Sequence, residues 1–500
     1  MSGHQIVTPG ATMRDRTEAA VADTELQSAI SNLDRRLFTA RAVADSTPDM
    51  KDRAAAIRRE TLADLDGWID RLAASLTRVG AQVHHAATPE AACAVVAQIA
   101  RTHNARRIVK SKSMATEEIN LNVTLEAQGF EVLETDLGEY IIQVAGERPS
   151  HMITPAIHKT LDQIAQLLSE ESGETLPADR DELTSWVRER LRARMLRADI
   201  GVTGANFACA DTGTIALVTN EGNADYCTTV PPVHVAIVPI EKVIPRFSDL
   251  PLLLPLLTRS ATGQALTNYV TMFTGPRRAG ETDGPEELHV VLLDHNRRAL
   301  VGTPYEEMLA CIRCGACLNV CPVYRSVSGH AYDTVYTGPM GKVLMPLLTG
   351  GEDGRALPFA STLCGACTEA CPVEIPLADL LVRLRADLRT EGSPAADASA
   401  GTRAPSPRTV AGEGYSWAAA TAALPDRPRG SNTVKHRAFM TWARMWRRPR
   451  TYRWSTRITR TLQVMAPRGV ARLPIARHWA ATRELPRPAP RSFLDEWQSR

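Results

Sequence analysis

CIRCGACLNVCPVYR (residues 311–325) and STLCGACTEACPVEIP (residues 361–376) are two copies of one rhythm. In the first, Cys311, Cys314, Cys317 and Cys321 are separated by two, two and three residues, and Pro322 follows. This is the run of two-cluster bacterial ferredoxins, where three cysteines of a run hold one iron–sulfur cluster and the fourth reaches the other. A tight turn aims three thiolates at one cube, and the next few helical residues carry the fourth sulfur away. The second copy has Cys364, Cys367 and Cys371 before Pro372, with Ser361 where its first cysteine belongs.

Crossing the ligands gives a complete set for one cluster, Cys311, Cys314, Cys317 and Cys371. Cys321, Cys364 and Cys367 are left for the other. Three outcomes suit the incomplete site. Its fourth iron binds Ser361, water or a side chain such as His330; or it is absent, leaving [3Fe-4S] in place of [4Fe-4S]; or it is open to substrate. A structural zinc site needs four thiolates or imidazoles, and seven cysteines with two Cys-Pro endings fit it poorly.

The rest of the chain is compatible with a reducing compartment. Seven of ten cysteines fall between 311 and 371, and the others, Cys93, Cys209 and Cys227, lie in apolar stretches where a free cysteine is an inert small hydrophobe. The most apolar run, LPLLLPLL at 250–257, is far below the ~20 residues that span a bilayer, and MSGHQIVTPGATMRDRTE does not read as a secretory signal. The expected location is the cytoplasm, with attachment to a membrane surface as the alternative. Charge is uneven: residues 431–500 carry 16 Lys or Arg against 3 Asp or Glu, so the first 430 are net negative. Six of eight tryptophans lie from Trp417 onward. Such an Arg/Trp-rich segment suits an acidic partner or a membrane surface better than nucleic acid.

Periodicity divides the chain into five parts. Residues 1–74 read as a helical segment. Residues 75–295 alternate strands and helices, an α/β domain. Within it MATEEINLNVTLEAQG (114–129) reads as one helix and FEVLETDLGEYIIQV (130–144) as a strand with an extension. Residues 296–390, including EEMLACIRCGACLNVC (306–321), read as helical. Residues 391–430 have the small, Pro-rich composition of a linker, and 431–500 form the basic extension.

In an open α/β sheet ligands bind beyond the carboxyl ends of the strands. The polar stretches expected there supply pocket candidates: Lys112, His151, His158, Asn206, Asp211 and Glu221. No G-x-G-x-x-G dinucleotide fingerprint accompanies them, and GPMGKV (338–343) lacks the spacing of a P-loop.

The order KSKSM, ETDLGEY, PSH, TGANFACADTGT, TNEGN, CIRCGACLNVCPVYR and LCGACTEACPVEIPL closely resembles the lactate utilization protein B family over about 60–390. The resemblance implies a LUD domain, similar to the isomerase/CoA-transferase-like α/β group, followed by a two-cluster ferredoxin-type domain. It implies a subunit of a complex oxidising L-lactate to pyruvate with partner proteins A and C. Two other readings stand beside it. One is an electron-transfer module for another 2-hydroxy acid or glycerol phosphate dehydrogenase; the other is a transferase-like enzyme using Glu221, with structural clusters.

Overall fold

The computed structural model describes residues 11–30, 48–349 and 352–388, with scattered helical positions between 441 and 461. The expected linker at 391–430 and nearly all of the basic extension lie outside the described residues, as do 31–47 of the N-terminal segment.

A parallel six-stranded sheet organises the first part. Its strands are β1 (Gln82–Ala86), β2 (Arg107–Lys110), β3 (Glu131–Glu134), β4 (Ile200–Thr203), β7 (Val233–Pro239) and β10 (Glu287–Leu293), in the order β1-β10-β7-β4-β2-β3. β7, apolar or small at nearly every position, is buried throughout, as a central parallel strand must be. A second sheet, ordered β8-β5-β6-β9, is built from β5 (Phe207–Cys209), β6 (Ile215–Thr219), β8 (Val243–Ile244) and β9 (Tyr269–Phe273). No helix among the described residues is long and apolar enough to cross a membrane.

Three stretches differ from their sequence reading. Residues 114–129 break into two short helices, Met114–Glu118 and Leu121–Glu126, because Asn120 enters the left-handed region at φ 50°. Asparagine tolerates that conformation better than most residues. The extension after β3 is a helix, Leu137–Ala145, started by the Asp136 side chain accepting from the Glu139 N–H and stopped at Gly146. In 306–321 only a single turn, Glu306–Ala310, and the short helix Ala316–Asn319 form, because the cysteine loop interrupts them.

One apolar core runs from the N-terminal helices, through the second sheet and helix Leu250–Thr262, into the cysteine region. Ile69, Leu72 and Leu76 lie at three- and four-residue steps on helix Leu65–Arg78, so they share one face. All three are fully buried and belong to the same cluster as Leu318, Tyr324 and Leu381. The early helices and the cysteine region are therefore packed as one body.

Candidate iron–sulfur centres and an adjoining cavity

The two cysteine loops share one backbone. Arg313 and Leu363 hold the same left-handed position at φ 62° and 55°, followed by Gly315 at 76° and Gly365 at 83°. A side chain at the glycine position would be strained, and glycine is free there. A short helix then starts in each copy, Ala316–Asn319 and Ala366–Glu369. The Arg313 N–H donates to Cys311 Sγ at 3.4 Å, and the Leu363 N–H donates to Ser361 Oγ at 3.2 Å. Ser361 therefore occupies the place of Cys311 in conformation as well as in sequence.

The sulfurs fall into two electrostatic groups. Cys314 and Cys317 each feel Cys311 and Cys371, whereas Cys367 feels Cys321 and Cys364. Burial pushes the Cys314, Cys317 and Cys371 thiols up, so only a bound cation's charge would hold them as thiolates. Among the described residues, no three cysteine sulfurs converge within 4.8 Å of one another. Four thiolates on one zinc at about 2.3 Å would sit roughly 3.8 Å apart, and the sulfurs are not gathered that tightly. The residues fit iron–sulfur clusters. The Ile375 N–H donates to Cys371 Sγ at 3.3 Å, and Lys342 Nζ, buried, donates to Cys321 Sγ at 3.6 Å. Cys364 is exposed, unlike its counterpart Cys314.

A cavity of about 1010 Å³ opens beyond the carboxyl ends of the parallel strands, lined by Lys112, Asn206, Glu221, Lys242, Arg313 and Tyr336 among others. Arg313 belongs to the first cysteine loop, so the cavity wall and that loop are one structure. Buried ion pairs fix this wall. Arg313 Nη2 lies 2.7 Å from Glu241 Oε1, Arg297 Nε pairs with Glu241 Oε2, and Arg297 clasps Glu118 at 2.8 and 2.6 Å. Burial would raise the Glu118 carboxyl, but the Arg297 guanidinium holds it far below its ordinary value. Arg58, fully buried, donates to the carbonyls of Val243, Leu309 and Ala310 at 2.7, 3.0 and 3.2 Å.

The sequence candidates are distributed unevenly. Lys112, Asn206 and Glu221 line the cavity. Lys112 Nζ donates to the Ile153 carbonyl at 2.6 Å, and Asn206 Oδ1 accepts from the Val218 N–H. Glu221 is exposed at the rim, yet its carboxylate turns to accept from the Leu137 N–H; desolvation and the neighbouring Asp136 push it up to about 7. His151, His158 and Asp211 are not among the lining residues. His151 accepts from the Ile153 and Thr154 N–H groups through Nδ1 and meets Asn319 through Nε2, tying the α/β part to the first cysteine helix. His158 pairs with Glu147 at 2.7 Å, and Asp211 accepts from the Phe247 N–H. His330 Nε2 is taken by the Arg148 carbonyl at 2.7 Å. Cys209 and Cys227 are buried thiols pushed up to about 12 by desolvation, and Cys93 is pushed up as well.

Sequence reading missed Lys242, Arg313 and Tyr336 as cavity residues. Arg313 alone carried a signal, its place between Cys311 and Cys314.

A parallel α/β domain whose binding cavity is walled by a ferredoxin-type loop defines an iron–sulfur electron-transfer protein. Family models agree: residues 69–293 match the LUD domain and 307–375 the 4Fe-4S dicluster domain. The chain is 48% identical over 379 residues to lactate utilization protein B of Lysinibacillus sphaericus, covering 74% of this chain and 79% of the relative. It is 44% identical over 415 residues to lactate utilization protein B of Bacillus thuringiensis, covering 82% and 85%. It belongs to the lactate utilization protein B family. A solved DUF162 family protein from Deinococcus radiodurans aligns with 46% of this chain and 98% of its own at 16% identity, with a TM-score of 0.27 that is too low to bear on the fold. The dicluster domain and the cysteines of 311–371 imply two iron–sulfur clusters.

Proposed function

We propose that this chain relays the electrons of L-lactate oxidation to pyruvate, working in a reducing cytoplasmic setting with lactate utilization proteins A and C. The observation that carries this reading is the shared wall: Arg313 lines the cavity while its backbone N–H reaches Cys311 Sγ. Electrons released at the cavity would enter through the loop that carries the first set of cysteines, Cys311, Cys314, Cys317 and, from the second copy, Cys371. The second set is Cys321, Cys364 and Cys367, with Ser361 Oγ in the position of the missing thiolate. Exposed Cys364, with Leu363 and Phe359 also exposed, marks where a partner would collect electrons.

When bound, the two clusters supply one-electron acceptors in series. The chain's own residues do the rest. Lys112 and Arg313 offer cations for a carboxylate in the cavity, and Glu221, half-ionised near neutral pH, is placed to take a proton. Oxidation of a 2-hydroxy acid releases two electrons and two protons, and no flavin or nicotinamide signature accompanies this cavity; the hydride-accepting chemistry is assigned to the assembled complex.

The test is anaerobic iron and sulfide analysis with EPR on the full chain, before and after L-lactate, alone and with A and C. The reading expects two cluster signals, both reduced by L-lactate in the full mixture, and loss of that reduction in Arg313→Met. Failure of L-lactate to reduce either cluster in the complete mixture overturns it, as does reduction that survives loss of the clusters' cysteines.

A further inference from the structure

At the opposite end of the parallel sheet from the cavity, β10 begins with Glu287 and His289. Two residues apart on one strand, they face the same side. His103, which ends helix Pro89–Thr102, brings its Nε2 to 3.5 Å from Glu287 Oε2, and His289 Nε2 lies 3.3 Å from the same oxygen. These three donor atoms lie within 4.8 Å of one another. Ligand atoms about 2.0–2.1 Å from a tetrahedral zinc sit roughly 3.3–3.4 Å apart, so two sides of this triangle already have the required length.

His289 gives the second observation. It is only 4% exposed, and its Nε2, aimed at this triangle, makes no well-directed hydrogen bond. A buried polar atom left in that state costs free energy unless something binds it. Its other nitrogen, Nδ1, lies 3.1 Å from His84 Nε2 on neighbouring β1, where Gln82 pairs with His289 in register. Metal-ligating histidines commonly use the second ring nitrogen this way, which fixes ring orientation and tautomer. Gln82 Nε2 donates to Glu287 Oε2 at 2.9 Å and steadies the carboxylate.

We infer that His103, Glu287 and His289 form a binding site for one divalent ion of the zinc class, with His84 as the positioning residue for His289. Imidazole and carboxylate donors without a thiolate suit zinc and exclude an iron–sulfur cluster here. Glu287 and His103 are partly exposed, at 39% and 27% for their side chains, which leaves the ion an entry path and a position for water. The ion would pin the last turn of helix Pro89–Thr102 to β10 near the edge of the sheet, away from electron transfer.

The experiment uses the iron-loaded full chain, dialysed anaerobically against chelator-buffered Zn²⁺, with zinc and iron measured together and thermal unfolding followed with and without zinc. One zinc per chain is expected with iron unchanged, and a zinc-dependent rise in Tm. His103→Gln and Glu287→Gln, both at partly exposed positions, should weaken zinc by more than about 100-fold while keeping iron; His84→Ala should weaken it by about 10–100-fold, the range for an outer partner. No zinc uptake overturns the inference. So does uptake unchanged in His103→Gln and Glu287→Gln, or zinc gained only as iron is lost, which would place it on the cysteines. None of these results bears on whether L-lactate reduces the clusters, so the two readings fail separately.

Discussion

The two cysteine loops have the same backbone and opposite surroundings. Around Cys311 to Cys321 the chain is buried, held by Arg313, Glu241 and Arg297 and packed against the cavity. Around Ser361 to Cys364 it is open: Cys364 is exposed, and Leu363, the counterpart of buried Arg313, is 37% exposed. A repeat can thus keep its local geometry while its environment assigns each copy a separate task. Under the proposed function, the buried copy would receive electrons and the open copy pass them on.

The largest effect should come from breaking the buried copy. Cys317→Ser is expected to lose the first cluster's iron and to abolish lactate-driven reduction in the reconstituted complex, whereas Cys364→Ser should keep the first cluster's signal; iron analysis and EPR distinguish them. Next is the ion network. Glu241→Gln leaves Arg297 and Arg313 buried with less compensation, and breaking a buried pair costs about 3–5 kcal/mol. The exposed pair on the open side, Arg59 with Glu374 at 3.1 Å, should cost under about 1 kcal/mol when Arg59 is replaced by alanine. Denaturant unfolding of both variants checks the contrast.

Ser361→Cys sharpens the comparison by making the copies alike. A fourth thiolate donates more electron density than a hydroxyl, so the second cluster's reduction potential should fall while the first is unmoved, as read by EPR-monitored redox titration. Iron content in that variant rising by one per chain would identify the native second cluster as [3Fe-4S]. The smallest effect concerns Glu221. Its carboxyl is raised to about 7 from the ordinary 4.5, so the folded chain binds more protons than the unfolded one between those values. Stability should therefore fall as pH rises from about 4.5 to 7, and Glu221→Gln should flatten that slope in thermal unfolding measured across the range.

Much of this was legible along the chain. The cysteine spacings announced two clusters, and the alternation of strands and helices announced an α/β domain. Polar residues after strands led to Lys112, Asn206 and Glu221, because loops at the carboxyl ends of such a sheet converge. His151 and His158 carried the same signal and went elsewhere. Both nitrogens of His151 are used, Nδ1 by the N–H groups of its own loop and Nε2 by Asn319 of the cysteine region, an outcome that depends on a partner 168 residues away in sequence. The helix Leu137–Ala145 was missed because its apolar residues suit a strand equally well until Asp136 caps it.

By itself the sequence determined which residues could hold iron, since spacing of a few residues is local geometry and survives any packing. It also determined that one thiolate is missing. Only tertiary structure decided which cysteine loop faces the cavity and which faces solvent, and that Arg313 serves both wall and loop. It alone brought His103 to Glu287 and His289. Those are contacts between residues far apart in the chain, fixed by a shared core and buried charges that no short stretch encodes.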